Sequence, residues 1–305
     1  VRIYQYDATK NSAQTNPALA NFGPVGWNRL GSDIDGQTSD DLSGWSVSLS
    51  ANGQTVAIGA MHNDVPGTNS GNVRIYSYNG SVWSQLGSNI EGETDGDWSG
   101  FSTSLSADGL TVAIGSRYND AGNLSTDNRG HTRIFSYNGS EWIQLGEDID
   151  GEAISDESGY SVSLSADGRI VAIGASANDG TSGTSSDNRG HVRIYQYDAT
   201  KNSAQTNQAL ANFGPVGWNR LGSDIDGDVA GDLSGHSVSL SADGRTVAIG
   251  AYLSGPSLPF DNRSGAGQVR IFSYSSGSWT QLGSDIDGEA AGDESGYSVS
   301  LSADG

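Results

Sequence analysis

The segment SGYSVSLSADGRIVAIGA, from Ser158 to Ala175, recurs with few changes from Ser43, Ser99 and Ser234, and its first half returns from Ser295. A chain written as near copies of one unit folds by stacking those copies, because a single unit cannot bury its own faces. The repeat therefore constrains the architecture before any other feature is weighed.

Inside the unit the residues alternate with period two. Tyr160, Val162 and Leu164 stand against Ser161, Ser163 and Ser165, the pattern of a strand with one bulky and one small face, here strand A. Asn52-Gly53, Asp108-Gly109, Asp167-Gly168, Asp243-Gly244 and Asp304-Gly305 follow, residues suited to a two-residue hairpin with positive φ angles. Strand B, of the type Ile170 to Gly174, runs back. A polar loop leads to strand C, seen at Val1-Arg2-Ile3-Tyr4 and again from Val73, Thr132, Val192 and Val269. Strand D carries a tryptophan and a Leu-Gly pair, as in Trp83-Ser84-Gln85-Leu86-Gly87. Short connections favour an antiparallel meander, and meanders repeated radially make a propeller.

The fold predicted is all-β, a five-bladed β-propeller of four-stranded antiparallel blades. It is one strand short, with four copies of B against five of A, C and D. One domain covers 1–305, with repeats at 1–42, 43–98, 99–157, 158–233 and 234–294, and 295–305 completing the first blade. The unfilled strand place leaves room for self-association through that blade, or for chain outside these residues. Residues 1–36 and 192–227 match except for Pro17 against Gln208, and both carry a long C-to-D loop, Asp7 to Gly26 and Asp198 to Gly217. Loops on a rigid scaffold often carry binding, although tolerated insertion is the simpler explanation of them.

Composition narrows the partners. A formal charge of −21 repels nucleic-acid phosphates and anionic surfaces, leaving cations, proteins and neutral glycans as ligand classes. No apolar run reaches the roughly 20 residues of a membrane helix, so no membrane insertion is expected. The absence of cysteine excludes thiolate metal sites and cysteine nucleophiles.

The order SG-aromatic-SVSLS, turn, VAIGA and VRIY resembles the FG-GAP repeat of the integrin α-subunit propeller. Ser stands where that family has Phe, no Pro follows Gly59-Ala60, Gly174-Ala175 or Gly250-Ala251, and one Asp-Gly pair replaces the family's spaced aspartates. The resemblance implies an extracellular or cell-surface propeller that serves adhesion or ligand recognition.

The strongest polar signal follows strand D. Asp285, Asp287, Glu289 and Asp293 recur as Asp33, Asp35 and Asp40; as Glu91, Glu93 and Asp97, beside Asn89; as Asp148, Asp150, Glu152 and Asp156; and as Asp224, Asp226, Asp228 and Asp232. Spaced acids around a glycine turn suit calcium, which takes six to eight oxygens. Alternatively Ile34, Ile90, Ile149, Ile225 and Ile286 point into the core while the acids face water or pair with arginine. The strand C arginines Arg2, Arg74, Arg133, Arg193 and Arg270 recur in every blade and read as structural ion pairs. Trp27, Trp83, Trp142, Trp218 and Trp279 read as packing.

A ring of Trp45, Phe101, Tyr160, His236 and Tyr297 opens strand A. With A innermost, these side chains line one mouth of the central channel, as a ligand grip or as plain lining. The B-to-C loops add Asp127-Asn128-Arg129-Gly130-His131, Asp187-Asn188-Arg189-Gly190-His191 and Asp261-Asn262-Arg263, ordinary turn formers that also suit sugar hydroxyls. No acid, base and nucleophile set stands out from the repeats. The functional expectation is a non-catalytic recognition propeller, with a lectin-like module second and a propeller hydrolase or lyase third.

Overall fold

A computed structural model describes the chain except residues 20, 121–126, 181–186, 211 and 256–264, so the Asp261-Asn262-Arg263 cluster lies outside the described residues. Five antiparallel sheets follow one another as the blades of a five-bladed β-propeller. The first is the pair β1 (Tyr4–Tyr6) and β2 (Trp27–Arg29). The second holds β3 (Val47–Leu49), β4 (Thr55–Ala60), β5 (Asn72–Tyr78), β6 (Trp83–Gln85) and β7 (Ile90–Glu91). The third holds β8 (Ser102–Leu105), β9 (Thr111–Ser116), β10 (His131–Tyr137), β11 (Trp142–Gln144) and β12 (Ile149–Asp150). The fourth holds β13 (Ser158–Leu164), β14 (Ile170–Ala175), β15 (His191–Tyr197), β16 (Trp218–Arg220) and β17 (Ile225–Asp226). The fifth holds β18 (Ser237–Leu240), β19 (Thr246–Ala251), β20 (Gln268–Ser275), β21 (Ser278–Gln281) and β22 (Ile286–Asp287).

The A-B-C-D meander is as the periodicity predicts, with one addition in each of the last four sheets. A fifth short strand pairs with C beyond D, as Ile149 opposite Thr132 and Asp150 opposite His131 show. Strand D is thus broken in two by a bulge at the Leu-Gly pair. The reason lies in the next blade. A Cβ on Gly87, at φ +73°, would stand 2.9 Å from the indole of Trp142, and that indole donates to the Leu86 carbonyl at 2.7 Å. Trp83, Trp218 and Trp279 make the same bond to Leu30, Leu145 and Leu221 at 2.8 Å. The recurrent tryptophan and Leu-Gly pair are two halves of one interblade joint.

The hairpin between A and B is not the two-residue form. Ser106 and Thr111 close it, Gly109 donates to the Ser106 carbonyl at 3.0 Å, and Asp108 accepts from Leu110 N at 2.9 Å. Only the glycine of each Asp-Gly or Asn-Gly pair has positive φ. The aspartate serves through its side chain, as an Asx turn.

Cores lie between blades. Val112, Ile114 and Phe135 of the third sheet pack on Val73, Ile75 and Ile90 of the second, and the arrangement repeats around the array. Strand A's serines, the small face of the alternation, stitch neighbouring A strands. Ser48, Ser104, Ser163 and Ser239 Oγ accept from the amides of Leu105, Leu164, Leu240 and Leu301. Among the described residues no strand pairing joins 295–305 to β1 or β2. Instead Ala303 accepts from Ala242 N on the fifth sheet at 2.9 Å.

Candidate functional site

The acids after strand D divide by role instead of converging on one ion. The last of each group closes its own turn. Asp97 accepts from the amides of Glu93 and Thr94 at 3.0 and 2.8 Å. Asp156 and Asp232 repeat this at Glu152 and Asp228, and Asp293 accepts from Ala290 N. In the first repeat the turn closer is Asp41, buried, and not Asp40, which is exposed with φ +69°. Asp33 pairs with Arg2 and Arg29, and Asp35 uses its carbonyl to accept from Arg74 at 2.7 Å. Glu91 accepts from Asn89 and Asp285 from Gln281, while the Asp287 and Glu289 side chains are exposed. Burial pushes the Asp150 and Asp226 carboxyls up, with Arg129 and Arg189 opposing.

The internal strand C arginines cross the blade seams. Arg133 donates to the Glu91 carbonyl at 2.6 Å and lies 3.5 Å from Glu93; Arg270 donates to the Asp226 carbonyl at 2.6 Å and pairs with Asp228 at 2.8 Å. Two seams also carry an imidazole between carboxylates. Glu93, His131 and Asp148 form one group and Glu152, His191 and Asp224 the next, and each could hold a metal ion. The histidines are buried, and burial with a neighbouring arginine pushes each down to about 3, so both are neutral imidazoles at ordinary pH.

Of the two long loops, the second rests on the neighbouring blade. Lys201 pins it by donating to the carbonyls of Asn212 and Trp218 at 2.6 Å. Gln208, where the copies differ, donates to Glu152 at 2.7 Å. Asp148, Glu152, Arg193, Tyr195 and Phe213 line a cavity of about 330 Å³ beneath it.

The channel-mouth ring is a continuous run of contacts. Trp45, Phe101, Tyr160, His236 and Tyr297 follow with ring centroids 5.7, 5.1, 4.7 and 4.8 Å apart. The pattern of aromatics did not reveal what they enclose. Arg117 lies with its guanidinium carbon 4.3 Å from the Tyr118 ring centroid, 4.4 Å from Phe101, 5.1 Å from Tyr160 and 5.2 Å from Trp98. Its Nη1 stands 3.5 Å from Glu157 Oε2. Tyr252 packs on His236 at 4.2 Å. Burial, opposed by Arg117, raises the Glu157 carboxyl. Burial and Arg117 together push His236 down to about 4.

Arg117, Glu157 and Tyr252 are legible only as departures from the repeat. The Arg117 column reads Met61, Arg117, Ser176 and Tyr252. The Glu157 column reads Leu42, Trp98, Glu157, Leu233 and Glu294, and all five share φ of 54–56°. One backbone perch thus presents leucine, tryptophan or glutamate according to the blade.

No family model matches the chain, and no curated protein matches it in sequence. Its fold is shared with solved propellers. The periplasmic gluconolactonase of Pseudomonas aeruginosa superposes at TM-score 0.51 and 16% identity, over 95% of this chain and 69% of that one. A Bacteroides fragilis protein described as a candidate 6-phosphogluconolactonase gives 0.48 and 12%, over 81% and 55%. The first likeness establishes the fold. It also corrects the functional expectation, because the structure sharing this fold is an enzyme, and the reading as a non-catalytic, integrin-like or sugar-binding module does not hold. Repeat symmetry had hidden the ionisable groups at the mouth. No helix among the described residues is long and apolar enough to cross a membrane.

Proposed function

We propose that the chain is a propeller hydrolase that opens a neutral polyhydroxy lactone at the channel mouth. The observation that carries the reading is the Arg117–Glu157 pair at 3.5 Å, enclosed by aromatic rings, with a neutral imidazole in the same ring run. Propeller blades built alike differ there, and enzymes break symmetry at the place of chemistry.

The roles follow from the groups. Tyr160 and Phe101 offer faces to a flat sugar ring. His236, neutral, takes a proton from water as the water oxygen bonds to the acyl carbon. Arg117 stabilises the oxyanion that forms. The ring C–O bond then breaks, the imidazolium returns the proton to the leaving alkoxide, and a hydroxy acid departs. Glu157 holds the guanidinium in place. The acidic surface disfavours phosphorylated substrates and favours neutral ones. Calcium is not the ion of this reading, since each metal-competent group offers two carboxylates and an imidazole where calcium needs six to eight oxygens. The location proposed is periplasmic or extracellular, which the likeness to a periplasmic gluconolactonase supports.

Acid release from glucono-δ-lactone in a pH-stat tests the proposal. Turnover above the spontaneous rate, lost in Arg117→Met and His236→Gln, is the expected result; a wild-type rate equal to the spontaneous one overturns it.

A further inference from the structure

The four internal seams present the same three places, filled differently. In the seam between the first and second sheets they hold Gln37, Asn72 and Asn89, three amides joined by direct hydrogen bonds. Asn72 and Asn89 donate to Gln37 Oε1 at 3.4 and 3.2 Å. In the next seam they hold Glu93, His131 and Asp148. Two carboxylates and one imidazole replace the three amides, and this trio does not close on itself through the ring as the amides do.

The geometry confirms the mismatch. His131 is 1% exposed, and neither of its ring nitrogens has a hydrogen-bond partner. Its Nδ1 stands 3.7 Å from Asp148 Oδ2 and 3.9 Å from Glu93 Oε2, too far for hydrogen bonds. Donors held 2.0–2.2 Å from a tetrahedral ion lie about 3.4 Å apart, and the three ligand atoms here already lie within 4.8 Å of one another, so one cation can draw them together. Asp148 is held for the task, since Gln144 donates to its other oxygen at 2.6 Å. Glu93 reaches the surface and leaves a path of entry.

The following seam repeats the residue types and has a different solution. Arg193 bonds both Glu152 and Asp224, and Arg220 bonds Asp224 at 2.6 Å. Those carboxylates already have their cations, whereas Arg133 approaches only Glu93, at 3.5 Å through Oε1, and makes no ion pair with Asp148.

We propose that Glu93, His131 and Asp148 bind one borderline divalent cation of the zinc type, which ties the second sheet to the third, while arginine takes that place in the next seam. One imidazole with two carboxylates suits zinc and leaves a fourth position to water. This site is separate from the channel mouth and stands whatever the chain's activity.

Calorimetric titration of the metal-stripped protein with zinc chloride, alongside thermal melting, tests it. One zinc per chain is expected, with a rise in melting temperature of about 5 °C at a hundredfold excess over Kd, and none with calcium. His131→Asn installs the residue of the amide seam and should abolish binding. Glu93→Gln and Asp148→Asn keep the imidazole and should each weaken binding at least tenfold, which decides the matter should His131→Asn not fold. His191→Asn should leave the stoichiometry at one. Failure to bind zinc, two ions per chain, or binding unchanged in all three site variants overturns the proposal.

Discussion

Trp142 donates its indole N–H to the Leu86 carbonyl of the preceding blade at 2.7 Å, and the ring covers Gly87 as it does so. The bond links residues one repeat apart. Trp142→Phe keeps most of the packing and leaves the carbonyl without that donor, so urea unfolding should show a loss of about 1–2 kcal/mol. A change below the error of the measurement would mean that solvent replaces the indole freely.

Gly87 and Gly80 both have positive φ, yet only Gly87 faces a ring. Alanine at Gly80 meets open space and bears backbone strain alone, about 1 kcal/mol. At Gly87 the same strain adds to a Cβ set 2.9 Å from Trp142, and about 3 kcal/mol is expected. Equal costs at the two sites would remove the steric part of the argument.

Asp40 and Asp41 are neighbours with unlike work. Asp41 accepts from Thr38 N at 2.9 Å, from the Thr38 hydroxyl and from Asn63. Asp41→Ala should destabilise by about 2–3 kcal/mol, and Asp40→Ala by no more than about 0.5 kcal/mol. Thermal melts of the two variants, with and without calcium, distinguish a turn closer from an ion ligand.

His236 binds its proton less readily when folded, near pH 4 against 6.5 unfolded. Between those values the unfolded chain carries more protons, so the stability this group contributes is full above about pH 6.5 and is lost as pH falls toward 4. Glu157 opposes it, its raised carboxyl favouring the folded state at the acid end. The readout is therefore the difference between wild type and His236→Gln, whose melting temperature should depend less on pH across that window. Lactone turnover in the wild type should fall as pH drops through about 4.

Arg117→Lys keeps the charge and loses the plane that lies among four rings. It should behave like Arg117→Met in turnover, since an ammonium cannot stack or fork as a guanidinium does. Full activity in the lysine variant would show that charge alone suffices.

Strands were legible because Tyr160, Val162 and Leu164 alternate with serine, and a strand's two faces need no knowledge of its partner. The second half of strand D was not. Ile149 between two acids reads as a buried point in a wet loop until Thr132 is seen opposite it. Spacing points to Asp40 where the turn closes on Asp41, because spacing alone does not register a turn of unequal composition. Glu93, His131 and Asp148 sit in three different segments, and only the stacking of one repeat on the next brings them together. Arg117 and Glu157 were visible as oddities in their columns, but their meeting depends on a shared left-handed perch at Glu157 and on rings from three blades.

The seams of amides and of ions also differ in what weakens them. Gln37, Asn72 and Asn89 meet as dipoles, while Arg193 meets Glu152 and Asp224 as full charges. Added electrolyte reaches the second kind only in part, because Arg193 is buried, and leaves the first nearly untouched. Each blade touches only its neighbours, so the array opens at its weakest joint. Burial of that arginine thereby keeps the ion seam from becoming the weak joint when salt is added.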